Sequence, residues 1–129
     1  MITARYHREV PQRFRLEAAR CAGCGSLSFP PRLVCPSCKG RKFSTVTLPS
    51  EGTLVTYTIQ RVATDRFSKT TPFAVGIIDL GDGARITAQI TDADLEGLAV
   101  GQKMKLVFRK IQEDGRAGIL CYGYKAATA

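Results

Sequence analysis

Four of the five cysteines stand in two pairs, Cys21-Ala22-Gly23-Cys24 and Cys35-Pro36-Ser37-Cys38, with ten residues between them. A C-x-x-C segment turns back so that both sulfurs face one ion, and two such knuckles complete a tetrahedron. The spacing predicts a structural zinc site on Cys21, Cys24, Cys35 and Cys38. Iron is the competing occupant, because four thiolates suit it as well. Gly25 and Lys39-Gly40 follow the knuckles; a glycine there is expected to take positive φ and turn backbone amides toward the sulfurs. With cysteine at every ligand position no coordination place is left for water, so the metal is expected to hold structure rather than to catalyse. Two disulfides would need an oxidising compartment. The opening Met1-Ile2-Thr3-Ala4-Arg5-Tyr6 lacks the apolar run of a secretion signal, so reduced thiols and a cytoplasmic location are expected.

Other residues with reactive side chains form no convincing constellation. His7 is the single histidine and lies near the start of the chain, and Cys121 falls in a predicted strand with no histidine nearby in sequence. A thiol alternating with apolar residues reads as a small core residue. The carboxylates of Asp92, Asp94 and Glu96 read as helix-start charge, with Asp92 as N-cap. No catalytic residue is assigned, and the chain is not expected to turn over substrate by itself.

Charge is unevenly distributed. Residues 1–50 hold nine Lys/Arg against Glu9 and Glu17, whereas residues 51–129 hold ten against nine acidic groups. The basic field thus belongs to the N-terminal arm and the knuckles, which points to a polyanionic or acidic partner there. No apolar run approaches the roughly 18 residues of a membrane span.

The elements that must position these groups are mainly β. Residues 1–50 are expected to form an N-terminal arm and zinc ribbon, and residues 51–129 a five-stranded OB-fold barrel. Phe14, Leu16 and Ala18 alternate with charged residues and fit a strand entering the first knuckle; a helix over 12–19 beginning near Pro11 is the alternative. The segment from Leu27 to Val34, broken by Pro30 and Pro31, is expected to be a stiff exposed loop or edge strand. Barrel strands are expected around Val55-Tyr57-Ile59, residues 73–78, Ile86-Ala88-Ile90, Met104-Leu106-Phe108 and residues 117–124. Tight turns are expected at Gly81-Asp82-Gly83 and Glu113-Asp114-Gly115, and a short helical connection after Asp92. Gly76 and Gly123 would permit the coiling of a small barrel. Five strands with one helical connection between the third and fourth match the order of an OB fold, with a small sandwich as the alternative.

Certain stretches carry a resemblance. Residues 10–18 (VPQRFRLEA), the knuckle Cys21-Ala22-Gly23-Cys24-Gly25, residues 29–38 (FPPRLVCPSC), the strand start at 52–58 and Gly101, together with the ending at 119–124, are similar to a family of small zinc-ribbon/OB-fold proteins. That family, rubredoxin-like in its ribbon, accompanies thiolases and hydroxymethylglutaryl-CoA synthase. The resemblance implies a non-catalytic accessory subunit in a hetero-oligomer with a thiolase-fold enzyme acting on acyl-CoA, of the acetoacetyl-CoA/HMG-CoA or aromatic-degradation type. It implies stabilisation of that complex and a contribution to its coenzyme A site. From the basic arm and the apolar loop, Arg13, Arg15, Phe29 and Arg32 are the candidates for contact with partner or coenzyme A. The alternative is an OB-fold protein that binds single-stranded nucleic acid, which needs a basic groove with exposed aromatics. The near-neutral barrel argues against it, and Tyr122 and Tyr124 are the aromatics expected outside.

Overall fold

The computed structural model describes residues 3–113, 116 and 118–129. Two short helices, α1 (Thr3–Arg8) and α2 (Val10–Arg15), precede a small antiparallel sheet. That sheet has the order β2-β1-β3, built from β1 (Glu17–Cys21), β2 (Leu27–Ser28) and β3 (Phe43–Thr47). A closed barrel follows, β4 (Glu51–Gln60), β5 (Phe73–Gly81), β6 (Ala84–Thr91), β7 (Lys103–Glu113) and β8 (Leu120–Thr128), paired in the order β4-β5-β6-β8-β7. The expected zinc-ribbon and OB-fold architecture is therefore present, with a single turn of 3-10 helix, Leu95–Gly97, between the third and fourth barrel strands.

The segment leading into the first knuckle is neither a continuous strand nor a helix over 12–19. Helix α2 begins with Pro11 in its first turn and stops at Arg15; Leu16 takes a left-handed conformation (φ 52°), and β1 starts at Glu17. Leu16 is the hinge, and its side chain explains why a residue other than glycine sits there. It is 4% exposed and belongs, with Ala18 and Leu48, to the same apolar core as the barrel residues Leu54, Ile78 and Met104. Leu48 N–H donates to the Leu16 carbonyl at 2.9 Å, closing the base of the ribbon sheet beside the Glu17–Thr47 pair.

Within the barrel, most strand assignments hold, but the last strand, expected over 117–124, runs from Leu120 to Thr128, and two departures over which side chains face inward have local causes. A register shift between Leu54 and Thr56 places Leu54 fully inside, ahead of the Tyr57 and Ile59 side that was expected to face in. Tyr57 still packs on the core, and its hydroxyl donates to the Leu98 carbonyl at 2.9 Å. Phe108 shares the strand face of Met104 and Leu106 but is 46% exposed, because β7 runs on beyond the barrel interior. Asp82 and Gly83, both at positive φ, form the two-residue link from β5 to β6, as the Asp-Gly pair predicts. Gly76 faces inward, where an added Cβ would lie 2.7 Å from Leu54 Cδ1. Of the Glu113-Asp114-Gly115 turn, Asp114 and Gly115 lie outside the described residues.

Candidate metal centre and the cleft beside it

The Sγ atoms of Cys21, Cys24, Cys35 and Cys38 all lie within 4.8 Å of one another. Two separations are 3.4 Å (Cys21 to Cys38) and 3.5 Å (Cys24 to Cys35). Four sulfurs at ~2.3 Å from one zinc ion would stand about 3.8 Å apart in a regular tetrahedron, so the donor set fits a tetrahedral ion. Each knuckle is closed by backbone hydrogen bonds, Gly25 N–H to the Cys21 carbonyl at 2.9 Å and Lys39 N–H to the Cys35 carbonyl at 3.0 Å.

The glycines work differently in the two knuckles. Gly25 takes positive φ as expected, but in the second knuckle the left-handed residue is Lys39 (φ 63°) and not Gly40. Gly40 matters through proximity: a Cβ there would sit 3.2 Å from Cys38 Sγ and 3.6 Å from Cys21 Sγ. Its hydrogen lets the backbone pass beside two sulfurs.

The surroundings favour thiolates, but not four at once. The Ser26 hydroxyl, then its N–H, hold the Cys24 thiol down to about 6. The Cys38 and Ser37 amides lower that of Cys35. At Cys38 the Gly40 amide also lowers the pKa, but the sulfurs of Cys21, Cys24 and Cys35 outweigh it and push the thiol up to about 11. A bound cation removes this conflict, since it deprotonates coordinating thiols outright.

The other candidate residues are dispersed. His7 is exposed on α1, and Cys121 is buried at 3% exposure. Asp92 is not a helix cap: it has φ 53° and pairs with Arg109 at 2.9 Å, while the Asp94 carboxylate accepts from Glu96 N–H. Arg13 pairs with Glu9 at 2.6 Å and lies over the Tyr6 ring, 4.4 Å from its centroid. Arg15 is paired with Glu17 at 3.1 Å, and Arg32 is exposed. Phe29 packs against the shared core, so the loop is folded over its own ribbon there; its exposed large apolar residues are Leu33, 88% accessible, and Val34, 40%. Arg13 and Phe29 come together on the rim of a cleft of about 1210 Å³, whose lining includes neither Arg15 nor Arg32.

That cleft gave no sequence signal. It runs over one face of β4, β5 and β6, lined there by Thr58, Gln60, Phe73 and Val75, to where residues 85–89 of β6 face residues 122–124 of β8, with Gln12, Leu16, Val62 and Phe67 also lining it. Beside it, Phe108 packs against Phe14 (5.1 Å between centroids), Tyr122 (5.7 Å) and Tyr124 (5.5 Å). The Tyr124 hydroxyl donates to the Phe14 carbonyl at 3.1 Å.

Lys125, half-buried on β8, has its pKa lowered first by burial and then by Arg109 and Lys110, with Asp92 opposing. Its folded pKa lies below the unfolded one, so the unfolded chain holds the proton more tightly. Stability is reduced through neutral pH and is recovered as pH rises through the folded value toward the unfolded value near ~10.4. Lys125→Met is therefore expected to leave Tm at pH 7 unchanged or raised, and to flatten that alkaline recovery. A fall of more than about 4 °C in a thermal melt would instead mean that the ammonium makes a stabilising contact.

Comparison with known proteins agrees with this architecture. Residues 8–44 match the family model described as the ChsH2 rubredoxin-like zinc ribbon domain, and residues 45–109 match the ChsH2 C-terminal OB-fold domain. A DUF35 domain-containing scaffold protein of Methanothermobacter thermautotrophicus is 36% identical over 124 residues, covering 95% of this chain and 93% of the relative. The chain belongs to the DUF35 family. Also similar, at 32% identity over 110 residues, 85% of this chain and 74% of the relative, is the benzoylsuccinyl-CoA thiolase subunit BbsA of Thauera aromatica. Among solved structures, the Ltp2-ChsH2(DUF35) aldolase matches at TM-score 0.73 and 20% identity, with 98% of this chain and 93% of that chain covered, which establishes likeness of fold. Among the described residues, no helix is long and apolar enough to cross a membrane.

Proposed function

We propose that this chain is a non-catalytic accessory subunit that binds zinc through Cys21, Cys24, Cys35 and Cys38 and assembles with a thiolase-superfamily enzyme acting on acyl-CoA. The observation that carries this reading is the 32% identity, over 85% of the chain, to a protein named as a thiolase subunit. That relative's substrate name favours the aromatic-degradation type of partner. The scaffold designation of the methanogen relative supports a structural role. The donor set agrees, since four cysteine ligands leave a tetrahedral ion no open position for chemistry. The zinc would pin residues 21–42 so that the exposed basic side chains and Leu33 present a fixed surface. Arg32 is exposed and, unlike Arg13 and Arg15, has no carboxylate partner among the described residues, which leaves it available to the partner or the phosphates of coenzyme A.

Co-expression with the thiolase-fold protein of the same organism is expected to yield one complex on gel filtration. The chain purified alone is expected to bind about one zinc and to show no thiolase turnover. Separate elution of the two proteins at micromolar concentration would overturn the reading.

A further inference from the structure

Among the described residues, the barrel closes between β6 and β8 through two residue pairs, Ile90 with Ala126 and Thr91 with Ala127. These strands run parallel and separate toward their earlier residues, leaving 85–89 of β6 and 120–125 of β8 paired on one side only, to β5 and β7. Consecutive residues of both strands, 85–89 and 122–124, line the cleft. Alternate side chains of a strand point to opposite faces, so an unbroken run in a lining means that the strand's backbone edge is turned into the space. Among the described residues, no ladder and no other backbone hydrogen bond reaches either edge within the cleft.

An unpaired strand edge is a template for another extended chain, and here two such edges converge. Resting on the accessory-subunit reading above, we infer that the open seam between β6 and β8 receives an extended segment of the thiolase-fold partner as an added strand. Three observations select that occupant. The cleft, about 1210 Å³, is open and continues from the seam over the faces of β4 and β5, which leaves room for an extended segment to enter. The lining is close to neutral: its two guanidinium groups, Arg13 and Arg85, face Glu9 at 2.6 Å and Asp79 at 3.6 Å. Neutrality suits main-chain amides and apolar side chains and offers little to a nucleic-acid backbone or to nucleotide phosphates. Finally, five of the nine large exposed apolar side chains among the described residues cluster at the β8 lip and beside it: Phe14, Phe108, Ile119, Leu120 and Tyr122. Main-chain pairing in the seam would supply affinity, and this apolar lip would anchor side chains of the incoming segment.

The test is amide hydrogen exchange on the full-length chain, alone and with the full-length thiolase-fold protein of the same organism, together with affinities for the wild type and Leu120→Asp. Leu120 is 49% exposed, so the substitution should leave the fold intact, which the chain's own melt checks. Complex formation is expected to slow exchange at residues 85–89 and 122–125 by at least about tenfold, and Leu120→Asp to weaken binding about thirtyfold or more. A complex with unchanged exchange at both edges would overturn the seam while leaving the accessory function standing. Wild-type chain that binds no thiolase-fold protein would overturn both. Equal protection by coenzyme A alone would overturn the strand and make the seam a small-molecule site.

Discussion

Cys35→Ser is expected to abolish metal binding, taking zinc from one per chain to none by elemental analysis, and to unfold the knuckles while the barrel stays folded. Cys35 is fully buried, and its sulfur lies 3.5 Å from that of Cys24. A hydroxyl in its place is a far poorer partner for zinc than a thiolate, and a three-cysteine set loses the closed tetrahedron. Structural zinc contributes about 10–16 kcal/mol in small fingers, much more than the knuckles can replace. Between Cys21 and Lys42 only Leu27 and Phe29 reach the core, as partly buried side chains. Hydrogen exchange separates the parts. Amides of Ala22, Gly25 and Lys39, whose hydrogen bonds close the knuckles, should lose protection. Those of Leu54 and Leu106, which donate to Gln102 and Ser50 within the barrel, should keep it. Full metal content and intact knuckle protection in Cys35→Ser would end the ligand assignment. An iron–thiolate absorption band in the wild-type protein would change the ion but keep the ligands.

The clustering of the four cysteines was legible because it is local in sequence: two residues between cysteines fix a knuckle whatever surrounds it. The barrel strands were legible for the same reason, as were Asp82 and Gly83, whose pair names its own turn. What escaped depends on contacts between distant segments. Leu16 adopts a left-handed backbone because its side chain is gripped by the barrel core, and no propensity of leucine announces that. Phe29 is the residue of the apolar loop that reads as an anchor for another protein, yet the loop turns Phe29 inward and leaves Leu33 out. Phe108 follows the inward alternation faithfully. Its exposure follows from where the barrel ends, and strand periodicity carries no information about that. The cleft is the extreme case, since its lining is gathered from α2, the barrel strands and the loop at 62–67, segments far apart in sequence.

The small-barrel geometry also makes Gly52→Ala expected to be severely destabilising, by about 3 kcal/mol or more, although it adds a single methyl group. At Gly52 and Thr53, β4 changes neighbours. Residues 51–53 pair with Lys105, Met104 and Lys103 of β7, and pairing with β5 begins at Thr53, opposite Asp79. A strand that serves two neighbours at one point must coil sharply, and its backbone there presses on the inside of the barrel. A Cβ built at Gly52 collides with the Asp79 carbonyl oxygen and falls 2.7 Å from Ile78 Cγ2 and 2.9 Å from Leu80 Cδ2. The side-chain atoms could give way, but the carbonyl is part of the ladder and Ile78 is fully buried, so the strand itself must move. Overpacking of this kind costs typically 1–3 kcal/mol, and a backbone obstacle places it at the top of that range or beyond. With a urea slope of about 1–3 kcal/mol/M, the unfolding midpoint should fall by roughly 1 M or more at unchanged slope. Gly97→Ala is the control, because a Cβ there meets nothing nearer than 3.7 Å, and it should shift stability by no more than about 0.5 kcal/mol. Equal midpoints for the two variants would mean that the first barrel strand can slide away from β5, and that the coil at Gly52 is not what closes the barrel.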